Sequence, residues 1–259
     1  MAEPNLFFRK YGDSGQEIII LHGLFGSSKN WVSIAKELSI TNRVYTPDLR
    51  NHGDSFHSKT HNLRDMADDI LRLMEINSIQ NPILIGHSMG GLVTIIFSLL
   101  YPKKILLPIV VDIAPKNYPL DYKNEFACLK MDVSGYTSRE LIDRDMEKIY
   151  TDSFIRQFLQ MNLEKIDTGY KWKLNVETLE NSRDAFKLNL DENIIYPNKA
   201  LFILGEVSEY VKKDESSIIK KFFSNAEISI IKGAGHYLHY THQKEFIQIV
   251  KNFISDYPK

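Results

Sequence analysis

The segment Ile83-Leu84-Ile85 runs without a break into Gly86-His87-Ser88-Met89-Gly90-Gly91, and a long apolar stretch follows. A short β-branched run, a glycine-bounded serine and a helix-like apolar segment describe a strand that turns sharply into a helix. The pattern G-x-S-x-G needs small residues flanking the serine, because strand and helix backbones approach closely around the turn. Such a turn leaves the serine strained and exposed, the placement a nucleophile requires. The bland alternative is a glycine-rich turn with a passive serine.

Five other short apolar runs end in the same way. Ile18-Ile19-Ile20-Leu21 precedes His22-Gly23, and Val44-Tyr45-Thr46 precedes Pro47-Asp48. Residues 106–111 end at Asp112 and carry an irregular Pro108; residues 200–204 end at Gly205; residues 228–231 end at Lys232-Gly233. Continuous apolar runs of this length suit strands buried on both faces, as in a parallel sheet. Helical periodicity lies between them. Leu63, Met66, Ile70 and Leu73 form one stripe, with Asn62 or Thr60 placed to cap it. Phe246, Ile249, Val250 and Phe253 form another near the end of the chain. The alternation predicts an α/β fold, a mostly parallel sheet flanked by helices.

The alternation stops between residues 116 and 197, where no buried strand stands out. Amphipathic patterns replace it, first Leu141, Met146, Ile149 and Tyr150, then Phe154, Phe158 and Met161. The expected organisation is a core of residues 1–115 and 198–259 with a helical cap, residues 116–197, inserted between sheet strands. A cap entering at the carboxyl end of the sheet lies over the place where such folds bind ligands.

Composition narrows the partners. Among 259 residues, Lys+Arg number 32 and Asp+Glu 33, a net charge of -1. That balance provides no long-range field for nucleic acid or an anionic membrane. Cys128 is the single cysteine, so no intrachain disulfide forms, and a packing role is expected for it. The first residues have no basic stretch leading into an apolar one, and no apolar run is long enough to span a bilayer. The default is a cytoplasmic protein without membrane insertion, a monomer or small homo-oligomer. Lys103-Lys104 and Lys212-Lys213 read as solvated surface.

A serine nucleophile needs a base and an oxyanion hole. Gly233-Ala234-Gly235-His236 follows the last predicted strand, where a glycine-rich turn projects His236 over the sheet edge as the candidate base. His22-Gly23-Leu24 follows the first long strand. The backbone amides of Leu24 and Met89 form the candidate oxyanion pair, while His22 shapes the loop. His236, His239 and His242 also make an H-x-x-H-x-x-H series, but no carboxylate or cysteine partner stands nearby, and no metal site is expected. No organic cofactor is implied. Arg50 and His52 read as structural, Arg50 pairing with a carboxylate such as Asp48 and His52 bonding backbone.

Taken together these features resemble the α/β-hydrolase fold superfamily over nearly the whole chain. Two segments are more specific: Asp48-Leu49-Arg50-Asn51-His52-Gly53-Asp54-Ser55 and Val111-Asp112-Ile113-Ala114-Pro115. Both are similar to the YbfF-type esterases, a group of acyl-ester and acyl-thioester hydrolases, as is Tyr170-Lys171-Trp172-Lys173-Leu174-Asn175 in the insertion. The resemblance implies an esterase with a helical lid, acting on a small-molecule acyl ester or thioester. In many members of the superfamily the third catalytic group, an acid, follows the penultimate strand. Here that stretch is Glu206-Val207-Ser208-Glu209-Tyr210, with no aspartate. Asp112, at the preceding strand end, is the better candidate. In the YbfF-type group the matching aspartate serves and a serine matching Ser208 assists it. Glu206 and Glu209 remain the alternatives. A helix cap is the plain role for Asp112, and an ordinary loop hydroxyl the plain role for Ser208.

Two rival readings stand beside the esterase. A carbon–carbon bond hydrolase shares the same catalytic groups, but needs cationic side chains under the lid to hold an acidic substrate. A non-catalytic ligand receptor on this fold is expected to have lost those groups, whereas Ser88, His236 and a candidate acid are all present.

Overall fold

The computed structural model describes residues 4–119, 121–182, 185–191, 193–212 and 215–257. Residues 1–3, at the start of the stretch without a basic-to-apolar pattern, and Lys213 of the surface lysine pair lie outside the described residues.

The first half of the chain alternates as its apolar runs predict. It comprises β1 (Phe8–Tyr11), β2 (Gln16–Leu21), α1 (Val32–Leu38), β3 (Asn42–Pro47), α2 (Leu63–Ile76), β4 (Ile83–His87), α3 (Met89–Leu100) and β5 (Leu107–Val111). The insertion holds α4 (Lys123–Leu129), α5 (Arg139–Glu147), α6 (Ser153–Gln160), β6 (Leu163–Ile166), β7 (Gly169–Trp172) and α7 (Val176–Asn181). The chain then returns through β8 (Ala200–Gly205), α8 (Ser216–Phe222), β9 (Ala226–Ile231), α9 (Leu238–Thr241) and α10 (Gln243–Ser255).

The main sheet has the order β1-β3-β2-β4-β5-β8-β9. All neighbours are parallel except β1, which pairs antiparallel with β3. β1 has no signature among the apolar runs, because Phe8-Arg9-Lys10-Tyr11 is a half-buried edge strand. Pro108 sits inside β5 just before its pairing with β8 begins at Ile109 and Leu201, so the ladder there does not call on its missing N–H. The far edge strand β9 is less buried than a two-faced strand should be, and Ile230 is exposed.

Alternate residues of each strand serve different faces. Ile18, Ile20, Ile83, Ile85, Val111 and Ile203 pack with Ile34 and Leu38 of α1 and with Phe246, Val250 and Phe253 of α10. Ile19, Leu21, Leu84, Val110 and Phe202 pack on the other face with α2, α3 and the insertion. Burying one such side chain stabilises the fold by about 1.5–3 kcal/mol. The helix ends follow their local chemistry. Asn62 caps α2 by accepting from the Asp65 amide at 2.9 Å. Thr94 and Ser98, the polar breaks in the apolar run of α3, donate to the carbonyls of Gly90 and Thr94 four residues back. They are therefore buried without an unsatisfied hydroxyl.

The insertion is mainly helical, as its periodicity predicts, with one correction. Leu163–Ile166 and Gly169–Trp172 form an antiparallel two-stranded hairpin. These strands are only four residues long and partly exposed, so they lack the continuous apolar run that marks the core strands. The insertion is tied to the core beside Asp54. Asn175 donates to Asn51 Oδ1 at 3.0 Å and to the Ser58 carbonyl at 3.1 Å, and Lys173 pairs with Asp54. Two of the sequence segments that carry the resemblance thus meet each other in space.

Candidate active site

In the parallel part of the sheet, β3 lies on one side of β2 and β4 on the other, so the winding reverses between β2 and β4. Ligands bind beyond the carboxyl ends of strands at such a point. His22-Gly23-Leu24 leaves β2 there, and Ser88 leaves β4. Ser88 has φ 53° and ψ −117°, outside the ordinary regions for a non-glycine residue. Such a conformation costs on the order of 1–3 kcal/mol and persists only where the surroundings hold it. Close packing does so here. A Cβ on Gly86 would collide with the Gly90 carbonyl, and one on Gly90 would come within 2.6 Å of the Leu21 carbonyl oxygen.

The loop carrying Leu24 is held by two buried histidines. His22 donates from Nδ1 to the Gly23 carbonyl at 2.8 Å and accepts the Leu49 amide at Nε2 at 2.9 Å. His52 donates from Nδ1 to the Arg50 carbonyl and accepts the Phe25 amide at 3.2 Å. Each ring donates through one nitrogen and accepts through the other, which requires the neutral form. Burial lowers both from the usual histidine range. The Leu24 amide has no acceptor among the described residues. Met89, as the first residue of α3, has no intrahelical carbonyl to bond. His22 and His52 therefore shape the loop, as the sequence suggests.

Arg50 is structural, but its partners correct the sequence expectation. It binds Asp69 through two nitrogens, at 2.6 and 2.8 Å, and Asp65 at 2.7 Å. Asp48 instead accepts the backbone amides of Ser28 and Asp54. The α2 carboxylates were invisible to local reading because they lie fifteen and nineteen residues further along the chain.

Asp112 directly follows β5, fully buried and with φ 53°. Its Oδ2 accepts from His236 Nδ1 at 2.7 Å and from the Ser208 hydroxyl at 2.5 Å. Its Oδ1 accepts the Gly205 amide at 2.8 Å. Three donors offset the desolvation of this carboxylate. Glu206 points elsewhere and accepts the Gly233 amide at 2.9 Å.

His236 is enclosed by groups that the sequence reading did not assign to the site. Tyr210 stacks on it with ring centroids 3.7 Å apart. The Tyr210 hydroxyl meets that of Tyr122, and its carbonyl accepts from Tyr118. His87 donates from Nε2 to the His236 carbonyl at 2.8 Å, and burial drives its pKa well down. Tyr210 lies two residues past Ser208, so loop position was the one available signal. His87 occupies the variable position of its motif and gave none.

The three histidines of the H-x-x-H-x-x-H series face different partners. His236 meets Asp112, His239 stacks on Trp31 with centroids 4.5 Å apart, and His242 pairs with the Thr241 hydroxyl. No group of three or more potential metal-holding side chains occurs among the described residues. Cys128 is buried and its thiol is pushed up to about 11 by burial, the character of a packing residue.

Ser88 and His236 line one cavity together with Leu24 and Phe25. The insertion supplies Tyr122 and Glu125 from the α4 region and Ile155, Phe158 and Leu159 from α6. Among the described residues that line it, none is a lysine or arginine. No helix among the described residues is long and apolar enough to cross a membrane.

A serine at a strand-to-helix turn, an Asp–His pair on the loops after β5 and β9, and a helical insertion between sheet strands define an α/β-hydrolase architecture. The chain belongs to the α/β-hydrolase fold family, whose model matches residues 17–243. It is 33% identical over 247 residues to an sn-1-specific diacylglycerol lipase of Mus musculus, covering 92% of this chain and 80% of that protein. It is 28% identical to the esterase YbfF of Escherichia coli, covering 92% of this chain and 93% of the relative. A marine microorganism esterase of known structure superposes with a TM-score of 0.90 at 36% identity, covering 97% of this chain and all of that one.

Proposed function

We propose that this protein is a serine carboxylesterase acting on small to medium acyl esters, with acyl-CoA thioesters as a second substrate class. Residues 1–115 and 198–259 form the catalytic core, and residues 116–197 form the lid. The observation that carries the reading is the Asp112–His236 hydrogen bond, with His236 and Ser88 lining the same cavity. The esterase and lipase relatives support the same reaction class.

In this mechanism His236 takes the proton of Ser88 as the serine oxygen attacks the acyl carbonyl. Asp112 holds the imidazole with Nδ1 protonated and stabilises the imidazolium that forms. The Leu24 and Met89 amides stabilise the developing oxyanion. His236 then protonates the departing alcohol or thiol, and water attacks the acyl-enzyme with the same base. Ser208 supports Asp112 by donating to the same carboxylate oxygen that holds His236. No step calls on a metal or organic cofactor.

The cavity lining weighs against the carbon–carbon hydrolase reading. An acidic ring-cleavage product needs cationic partners, and the described lining residues contain no lysine or arginine. The test is hydrolysis of p-nitrophenyl esters over a series of acyl lengths, with matched acyl-CoA thioesters and Ser88→Ala as control. Serine-dependent turnover with a length optimum is expected. A folded wild-type protein that cleaves neither series, or a Ser88→Ala variant as active as wild type, overturns the proposal.

A further inference from the structure

The cavity over Ser88 is walled mainly by aromatic and aliphatic groups, and one carboxylate stands among them. Glu125, on the first turn of α4, lines the same cavity as Tyr122, Tyr210 and Tyr237. It is half-buried. No ion pair to it occurs among the described residues, and no cationic side chain lines the cavity among them. Burial raises its carboxyl above the ordinary range, its own backbone amide and then Tyr150 oppose the rise, and the neighbouring charge of Asp121 adds to it. A part-buried carboxylate without a cationic partner is costly, so what enters the cavity must contend with it.

Resting on the esterase reading, we propose that Glu125 is a specificity-determining residue: the cavity favours esters whose bound chain carries an ammonium group, accepts neutral chains, and turns away chains carrying a carboxylate. A carboxylate entering here would lose its water beside a like charge, with no lysine or arginine of the lining to compensate it. An ammonium group would gain Glu125 as a counter-charge and the faces of Tyr122 and Tyr237 as cation–π partners. Neutral chains rely on Phe25, Ile155, Phe158 and Leu159.

Three p-nitrophenyl esters of equal chain length test this, ending in methyl, carboxylate or trimethylammonium, assayed near pH 8. Normalised to the methyl ester, wild-type kcat/KM is expected to be at least tenfold lower for the carboxylate than for the ammonium compound. In Glu125→Gln that ratio should collapse by about tenfold to a hundredfold, the size of a partly screened unit-charge interaction. Glu125→Asp should retain part of it. Equal ratios in wild type and Glu125→Gln, or no discrimination in wild type, overturn the proposal. Failure of all three esters to react bears on the esterase reading instead. In that event, thermal stabilisation by hexyltrimethylammonium against hexanoate makes the same comparison without turnover. A preference for the ammonium compound that Glu125→Gln removes supports the proposal, and equal shifts or none overturn it.

Discussion

Tyr210 lies flat against His236, with ring centroids 3.7 Å apart and planes inclined by 11°. The stack closes one face of the imidazole and is itself braced by Tyr118 and Tyr122. In the proposed mechanism His236 becomes cationic during attack, and an aromatic face next to it is worth about 0.5–1 kcal/mol or more when desolvated. Tyr210→Leu is therefore expected to lower kcat by a few-fold to about tenfold. Tyr210→Phe, which keeps the ring, should lose less. Steady-state kinetics of the two variants on one p-nitrophenyl ester separate ring from hydroxyl.

Asp112→Asn should fold, since the Gly205 amide can still find an acceptor at this position. Turnover should fall by roughly 10⁴-fold, because the imidazole is no longer held in the required tautomer. Glu206→Gln should leave turnover within a few-fold, as Glu206 bonds Gly233 and not His236. The reverse ranking would move the orienting role to Glu206.

Ser208→Ala removes one of the three donors to Asp112. A loss of about tenfold to a hundredfold in kcat is expected, equivalent to ~1.4–2.8 kcal/mol of transition-state stabilisation. Unchanged kcat, with circular dichroism confirming a folded variant, would make the hydroxyl a spectator.

Five buried histidines link stability to acid. Burial lowers the pKa values of His22, His52 and His87, and those of His61 and His239 to about 3. In the unfolded chain each should titrate near ~6.5. Between the two values the unfolded state binds more protons, so their contribution is fully present above pH ~6.5 and is lost as pH falls toward the folded values. The urea midpoint should hold near neutrality and drop progressively below about pH 6.5. His61→Leu should flatten that decline by about one proton, or ~1.4 kcal/mol per pH unit. An equally steep decline in the variant would show that His61 is not held neutral.

Much of the core was legible because it is written locally. β-branched runs ending in glycine or aspartate marked six strands of the main sheet, and glycine spacing around Ser88 encoded a turn that only small residues permit. His236 followed from its place after the last strand. β1 and the β6–β7 hairpin escaped because half-exposed short strands carry no such run.

The relationships among those local pieces belong to the tertiary structure. Asp112 meets His236 across 124 residues and the Gly205 amide across 93, and sheet order brings β5, β8 and the loop after β9 together. The sequence favours Asp112 over Glu206 through its strand-end position and the segment around it, but the pairing with that ring exists only in the assembled sheet. Arg50 likewise finds Asp65 and Asp69 on α2, and Glu125 reaches the cavity only because the insertion folds back over Ser88. The sequence by itself determined most of the core strands and helices and the turns that carry Ser88 and His236, because propensity and steric permission act within a few residues. Which carboxylate is buried against the histidine, which ring stacks on it and what charge faces the substrate cavity were decided by packing, because burial and hydrogen-bond partners at long range exist only once the sheet is assembled.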